Sequence, residues 1–257
     1  MNANYLLNAL FFSLVINIVL FLVAYKFKTD KLTDAAYALS FLALAMFCLY
    51  SGDLTSGRII IAAMVSLWAF RLGGFLLYRI SVTGRDQRFD VWRHSFWLLG
   101  RFWVLQAITA WVVLLPVLLA LNKPEVNITM LAVAGIIVWV AALAIETVAD
   151  AQKFRFTQNP NNKGKWIAEG LWSWSRHPNY FGEILVWVGT YIAVFSGLTA
   201  PERLAGLASP MFIAGVLLFA TGIPILEKSA DKKWGKDKAY QEYKKRTSEL
   251  VLLPPKR

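Results

Sequence analysis

Cysteine occurs once and histidine twice in 257 residues, and charged side chains make up only 17% of the chain. The lone thiol, Cys48, excludes a disulfide framework and any cysteine-rich metal centre, and its apolar surroundings point to a buried structural role. With only His94 and His177 to offer, a zinc site has no ligand set, and no metal is expected. The shortage of charge excludes a water-soluble domain, because 57% of the residues are hydrophobic. No Gly-x-Gly-x-x-Gly follows a strand pattern, so a Rossmann domain is not the binder of any nucleotide here. Internal repeats, low-complexity tracts and long linkers are also missing, which implies a single domain over residues 1–257. The opening MNANYLLNALFF lacks the basic segment of a signal peptide, so its apolar stretch is expected to remain as a membrane helix.

What the chain has in excess is positive charge, 27 Lys and Arg against 16 Asp and Glu, a net +11. Nucleic acid is not expected as the partner, since a reader of it needs Lys and Arg on a broad water-exposed face. A helix crosses the hydrocarbon core with about 20 apolar residues. That ruler predicts seven spans, at 6–25, 34–51, 59–80, 96–121, 130–148, 182–198 and 210–226, hence an all-α, multi-pass integral membrane protein. Basic residues alternate across these spans: 23 of the 27 fall on one side, and only Arg58, Lys123 and Arg203 on the other, with Arg71 inside a span. The positive-inside rule then predicts an outside N-terminus and a cytoplasmic C-terminus; in a bacterium the membrane would be the inner one. Residues 151–174 read as a polar loop and 227–246 as a polar helix continuing out of the last span.

An ionisable side chain at membrane depth costs about 2.5–3.5 kcal/mol on insertion scales, so each one asks for a partner or a function. Asp34, Arg71, Glu146, Asp150, Glu183 and Glu227 all fall in the predicted cytoplasmic half and suggest a polar cavity opening there. Asp34 and Glu227 can equally mark the water boundary, Asp34 as a helix N-cap. Arg71 lies about 13 Å of helix rise from the end of its span, too far to snorkel, which favours pairing or function.

The stretch GLWSWSRHPNYFGEILVW, residues 170–187, concentrates the chemistry at the start of a membrane helix. Pro178 suits the first turn, and Asn179, Glu183 and Trp187 then share one face, presenting an amide, a carboxylate and an indole to one pocket. Gly182 allows close approach of a backbone or a flat ring. Free N–H groups beside Arg176 and His177 suit an anionic phosphate, although both side chains can also simply face lipid headgroups.

RHPNYFGE at 176–183 resembles the cofactor segment shared by the membrane steroid 5α-reductases and the isoprenylcysteine carboxyl methyltransferases. The reductase branch is matched further by Glu146 and Asp150 followed by Lys153 and Arg155, and by Lys165 ahead of Gly170-Leu171-Trp172. Tyr240, Tyr243, Arg246 and Pro254 match its closing tail, and WAFRLGGFLLYR at 68–79 resembles its bacterial, 3-oxo-5α-steroid 4-dehydrogenase-like members. The resemblance spans about residues 34–254 and is most specific over 146–254, which carries most of the cofactor motifs.

The resemblance implies a seven-helix, NADPH-dependent reductase of the C=C bond of an α,β-unsaturated ketone, a 3-oxo-4-ene steroid or another apolar enone drawn from the bilayer, acting as a monomer. The cofactor residues it implies are Arg71, Glu146, Asp150, Lys153, Arg155, Lys165, Arg176, His177, Asn179, Tyr180, Glu183, Glu227, Tyr240, Tyr243 and Arg246. Their types suit the task, since a 2′-phosphorylated dinucleotide needs cations for its phosphates and a donor and an acceptor for its nicotinamide amide. Reduction builds charge on the enone oxygen, which a nearby donor must stabilise. An acid held in low-dielectric surroundings stays protonated and can donate. Asp34 is the expected donor, with Tyr37 one turn on as a second and both Asp34 and Trp68 at the substrate, Trp68 standing where the family has a tyrosine. Two other functions fit the same segment: an S-adenosylmethionine-dependent membrane methyltransferase, and a non-catalytic sterol- or lipid-binding protein.

Overall fold

A computed structural model of the chain describes residues 3–29, 31–84 and 95–256, with backbone alone at Ala3, Lys31 and Asp34. Among the described residues every regular element is helical, and the one isolated β-bridge joins Ser175 to Ser248. The α-helices are α1 (Ala3–Lys26), α2 (Lys31–Tyr50), α3 (Ser56–Thr83), α4 (Phe96–Val113), α5 (Leu115–Leu121), α6 (Met130–Gln158), α7 (Pro178–Val194), α8 (Ala200–Gly206), α9 (Ala208–Gly215), α10 (Ile223–Trp234) and α11 (Lys238–Arg246). Six helical stretches are long and apolar enough to cross a membrane, Asn4–Lys26, Ser56–Thr83, Phe96–Val113, Met130–Gln158, Pro178–Gly197 and Ala200–Trp234, as a multi-pass membrane protein requires. The remaining expected span falls on α2, in which the described apolar stretch is Ala35–Tyr50.

The expected span at 96–121 breaks at Leu114, where Pro116 lacks the N–H that would continue the α4 ladder into α5. The expected span at 210–226 sits inside a longer, interrupted stretch. A π turn at Val216–Ala220 and a fresh start at Gly222, with Pro224 in the first turn of α10, offset its two halves. The expected loop at 151–174 is helical to Gln158, because Ala151, Gln152, Lys153 and Arg155 are strong helix formers and Asn159-Pro160 supplies the stop. The expected helix at 227–246 is two helices, since Asp237 caps a new one by accepting from the N–H groups of Ala239 and Tyr240.

The chain forms two compact units, Met1–Val133 with Thr190–Ser209, and Ala134–Gly189 with Pro210–Arg257. In the first, α1 packs on α2 and α4, and α2 on α3. Several polar side chains inside these spans donate short hydrogen bonds to neighbouring helices, as a lipid surround favours. Asn17 donates to Ser13 O at 2.9 Å and Ser40 Oγ at 2.7 Å, and Gln106 donates to Thr33 O at 2.8 Å. Arg58, only 1% exposed, is no loop charge as its sequence position suggests: its guanidinium donates to the carbonyls of Cys48, Leu121 and Lys123, clasping the ends of α2 and α5.

In the second unit α6 and α7 cross closely. A Cβ at Gly182 would sit 2.8 Å from Glu146 N and 3.0 Å from Ala142 O, and one at Gly189 would sit 2.7 Å from Trp139 N, so two glycines seven residues apart let the helices meet backbone to backbone. Gly170, at φ +58, makes the left-handed turn that brings Leu171 N onto Gln152 Oε1 at 3.0 Å and buries Trp172 against Ala149 and Ile167. Trp172 Nε1 then donates to Ala149 O at 2.9 Å.

Candidate active site

The end of α6, the turn after it, α10 and α11 enclose a cavity of about 290 Å³, near the lower end for small-molecule sites. Lys153 and Phe156 come from α6, Lys165, Trp166 and Trp172 from the connecting segment, and Arg176 and His177 from the residues just ahead of α7. Glu227, Ser229, Lys233 and Trp234 come from α10 and Tyr240 and Tyr243 from α11. These spacings follow from helical period: Glu227, Ala230 and Trp234 share one face of α10, and Tyr240, Tyr243 and Lys244 one face of α11. Trp166, Trp234 and Tyr240 form a continuous aromatic wall, with ring centroids 5.2–6.1 Å apart. Lys153 Nζ lies 4.5 Å above the Trp172 ring and Lys233 Nζ 4.4 Å above Trp234, so the cations are held against indole faces.

Glu227 is the hub of the ion pairs. Its Oε1 meets His177 Nε2 at 2.9 Å and Arg176 Nε at 3.3 Å, and its Oε2 meets Lys244 Nζ at 2.9 Å. Lys244 also pairs with Asp231 at 2.7 Å, and Arg176 with Glu249 at 3.3 Å. Burial pushes the His177 imidazole below its ordinary range; the Glu227 carboxylate opposes this without reversing it, and Lys153 and Arg176 push the same way as burial. The ring is therefore neutral at pH 7, and with Nε2–H donating to Glu227 its buried Nδ1 is a bare acceptor that has no partner among the described residues. Desolvation works against the Lys244 ammonium, but its contacts to Asp231 and Glu227 outweigh it and hold the group above the usual lysine value. Burial raises both tyrosines, and the neighbouring Glu227 carboxylate adds to each.

The carboxyl-terminal tail completes the frame. Arg176 N donates to Ser248 O at 2.8 Å, Ser175 Oγ to Leu250 O at 2.7 Å, and Tyr243 Oη to Trp172 O at 2.8 Å. The residues before α7 are thus fixed by hydrogen bonds to main-chain carbonyls rather than left as a free loop. A family model described as a protein of unknown function (DUF1295) matches residues 20–247, nearly the whole length that carries these elements. The chain belongs to this family. DUF1295 proteins are steroid 5α-reductase-like membrane proteins. No curated protein and no solved structure matches the chain.

Within this DUF1295 chain the sequence-derived candidates separate into groups. Lys153, Lys165, Arg176, His177, Glu227, Tyr240 and Tyr243 all line the cavity. Asp150 and Asn179 meet at α6–α7, where Asn179 Nδ2 donates to Asp150 Oδ1 at 3.2 Å; Glu146 is buried beside Gly182. Glu183 follows one turn after Asn179 on α7, and Tyr180 stacks on His177 at 5.7 Å. Arg155 is exposed on α6 and does not line the cavity, and the Arg246 side chain instead donates to Lys256 O at 2.9 Å. Arg71, Tyr37 and Trp68 belong to the first unit, where Tyr37, Phe41 and Trp68 form an edge-to-face ladder with centroids 5.0 and 4.8 Å apart. Arg71 lies over the Phe75 ring at 5.8 Å, and Trp68 is fully buried. The Asp34 side chain lies outside the described residues, as does His94. Sequence reasoning missed Lys233, Lys244, Trp166 and Trp234; the available signal, for Trp234 alone, was its place two helical turns after Glu227 on one face of α10.

Proposed function

We propose that this chain is an NADPH-dependent reductase of the C=C bond of an α,β-unsaturated ketone in a membrane-partitioned lipid, with 3-oxo-4-ene steroids as the substrate class. One observation carries the reading: a cavity walled by Lys153, Lys165, Arg176 and Lys233 together with Trp166, Trp172, Trp234 and Tyr240. Cations for several phosphates and flat π-faces for a base are what a dinucleotide requires. S-adenosylmethionine carries no phosphate and has no use for that many cations. The bare Nδ1 of His177 adds an acceptor for a ribose hydroxyl or an amide N–H.

In this reading Lys153, Lys165 and Lys233 hold the phosphates, and Glu227 holds Arg176 and His177 in place. Asn179, tied to Asp150, and Glu183 one turn along α7 address the nicotinamide amide. NADPH bound there supplies the hydride. Asp34 and Tyr37 serve as donors to the enone oxygen. The basic bias of the loops supports an outside N-terminus and a cofactor cavity on the cytoplasmic side, which is the inner face of the inner membrane in a bacterium.

The test is calorimetric titration of purified protein with NADPH and with S-adenosylmethionine, followed by NADPH oxidation against a panel of steroid and linear enones. Binding of NADPH and turnover of at least one enone are expected. Binding of S-adenosylmethionine alone would favour the methyltransferase reading, and binding of neither would favour the lipid-binding one.

A further inference from the structure

We propose that the groove between α1 and α4 binds one anionic phospholipid of the bilayer, with an acyl chain lying along the groove and the phosphate at Arg101. The groove, about 470 Å³, is formed within the first unit, where Ile18, Phe21 and Leu22 of α1 face Phe96, Val104 and Ile108 of α4. Gly100 forms part of its floor: a Cβ there would already touch the Phe21 ring at 3.4 Å.

Both helices are membrane spans, so the groove is bathed in lipid, and an apolar void at that depth is filled by hydrocarbon rather than water. From Phe96 to Ile108 it runs about 18 Å of helix rise, close to the roughly 15 Å depth of one leaflet's hydrocarbon.

Its two ends differ, and the difference selects the occupant. Around Ile18 and Ile108 the lining is wholly apolar. At the other end Trp97 is 75% exposed, as an indole at a membrane interface is, and Arg101 lines the groove one turn below it. Tyr25 meets Phe96 edge-on at 5.2 Å, which brings the end of α1, with Lys26, to this same level. Lys26 at the rim and Arg101 one turn lower, whose long side chain snorkels up to the same level, crown an apolar trough that continues about 10 Å below Arg101 and complement an anionic amphiphile; a neutral enone would leave both without a counter-charge.

Trp103 supplies an independent observation. It lines the groove, is 1% exposed, and its Nε1 has no acceptor among the described residues. It lies two residues, about 3 Å of rise, deeper than Arg101. A glycerol ester carbonyl sits just below the phosphate, so a seated phospholipid brings an acceptor to the depth of that donor.

The experiment measures phospholipid bound per chain by lipid mass spectrometry after exhaustive exchange into a neutral detergent. Delipidated protein is then titrated with dioleoyl phosphatidylglycerol and dioleoyl phosphatidylcholine, reading the thermal unfolding midpoint. Retention of about one anionic phospholipid and preferential stabilisation by phosphatidylglycerol are expected. Arg101→Gln should weaken phosphatidylglycerol about fivefold, the factor one basic residue near an anionic surface is worth, and leave phosphatidylcholine unchanged. Val104→Trp, which fills the trough, should abolish retention of both; if it does not fold, the exposed Arg101→Gln still decides. Equal retention of the two lipids, an unchanged preference in Arg101→Gln, or displacement of all phospholipid by a neutral enone overturns the proposal. NADPH titration reads the other unit's cavity, so the two proposals fail separately.

Discussion

His177 is a side chain whose protonation the surrounding structure controls. Glu227 of α10 faces its Nε2, Tyr180 stacks on its ring, and Lys153 and Arg176 add positive potential. Burial leads the shift, so the folded ring holds its proton more weakly than the free group at 6.5. Above that value both the folded and the unfolded chain are neutral at this position, and it contributes nothing to pH dependence. Below it the unfolded chain takes up a proton that the folded one resists, so stability falls with falling pH, by at most about 1.4 kcal/mol per pH unit for one group. In detergent, the unfolding midpoint should therefore drop between pH 7 and pH 5.5, ahead of the carboxylates. His177→Gln, which keeps a donor for Glu227, should flatten that drop. Equal slopes for variant and native chain would show that the imidazole is already free to charge in the folded state.

At the scale of elements, the α6–α7 crossing decides whether Asp150 reaches Asn179. Gly182→Ala places a methyl under 3.0 Å from the α6 backbone, which must give way. The expected cost is about 1–3 kcal/mol of stability, with weaker NADPH binding, because separating the helices also strains the Asn179–Asp150 hydrogen bond. Gly74→Ala, in α3 with open space around the added Cβ, serves as the matched control and should be neutral or slightly stabilising. Calorimetry of both variants with and without cofactor makes the comparison; equal stability of the two would mean that the crossing is loose. The sequence placed Glu146, Asp150 and Glu183 in one polar half and marked Gly182 as a point of close approach, but that α6 is the backbone that approaches there came only with the fold. The Glu227 hub was less legible still. It depends on α11 folding back so that Lys244 reaches a carboxylate 17 residues earlier, and a period confined to one helix cannot report a turn between two. The π turn at Val216–Ala220 was equally hidden, since hydropathy measures how apolar a stretch is and not how its ladder is wound. Arg58 read as a loop charge for the same reason: only the fold supplies the three carbonyls that bury it.

Over the whole molecule, the basic residues behind the net charge of +11 fall into two sets that substitution can separate. One set of cations lines the cavity, Lys153, Lys165 and Lys233 among them. Another, including Lys228, Lys232, Lys236 and Lys238, is exposed on or beside α10 and α11 and does not line the cavity. Both sets favour the same orientation in the membrane, because the positive-inside rule counts charges near span ends without regard to what they contact. Only the first set can read a phosphate. Replacing Lys153, Lys165 and Lys233 with Gln should weaken NADPH by about tenfold more than NADH, since a charge-assisted hydrogen bond to the 2′-phosphate is worth about 1.5–3 kcal/mol and NADH lacks that group. Replacing Lys228, Lys232, Lys236 and Lys238 with Gln should leave both affinities unchanged. Each quadruple or triple variant retains most of the basic loop residues, so labelling of the two termini from either side of sealed vesicles should report one topology throughout. If the exposed set shifts the NADPH-to-NADH ratio as strongly as the cavity set, the charge acts as a general field, and the cavity is not where the phosphate is read.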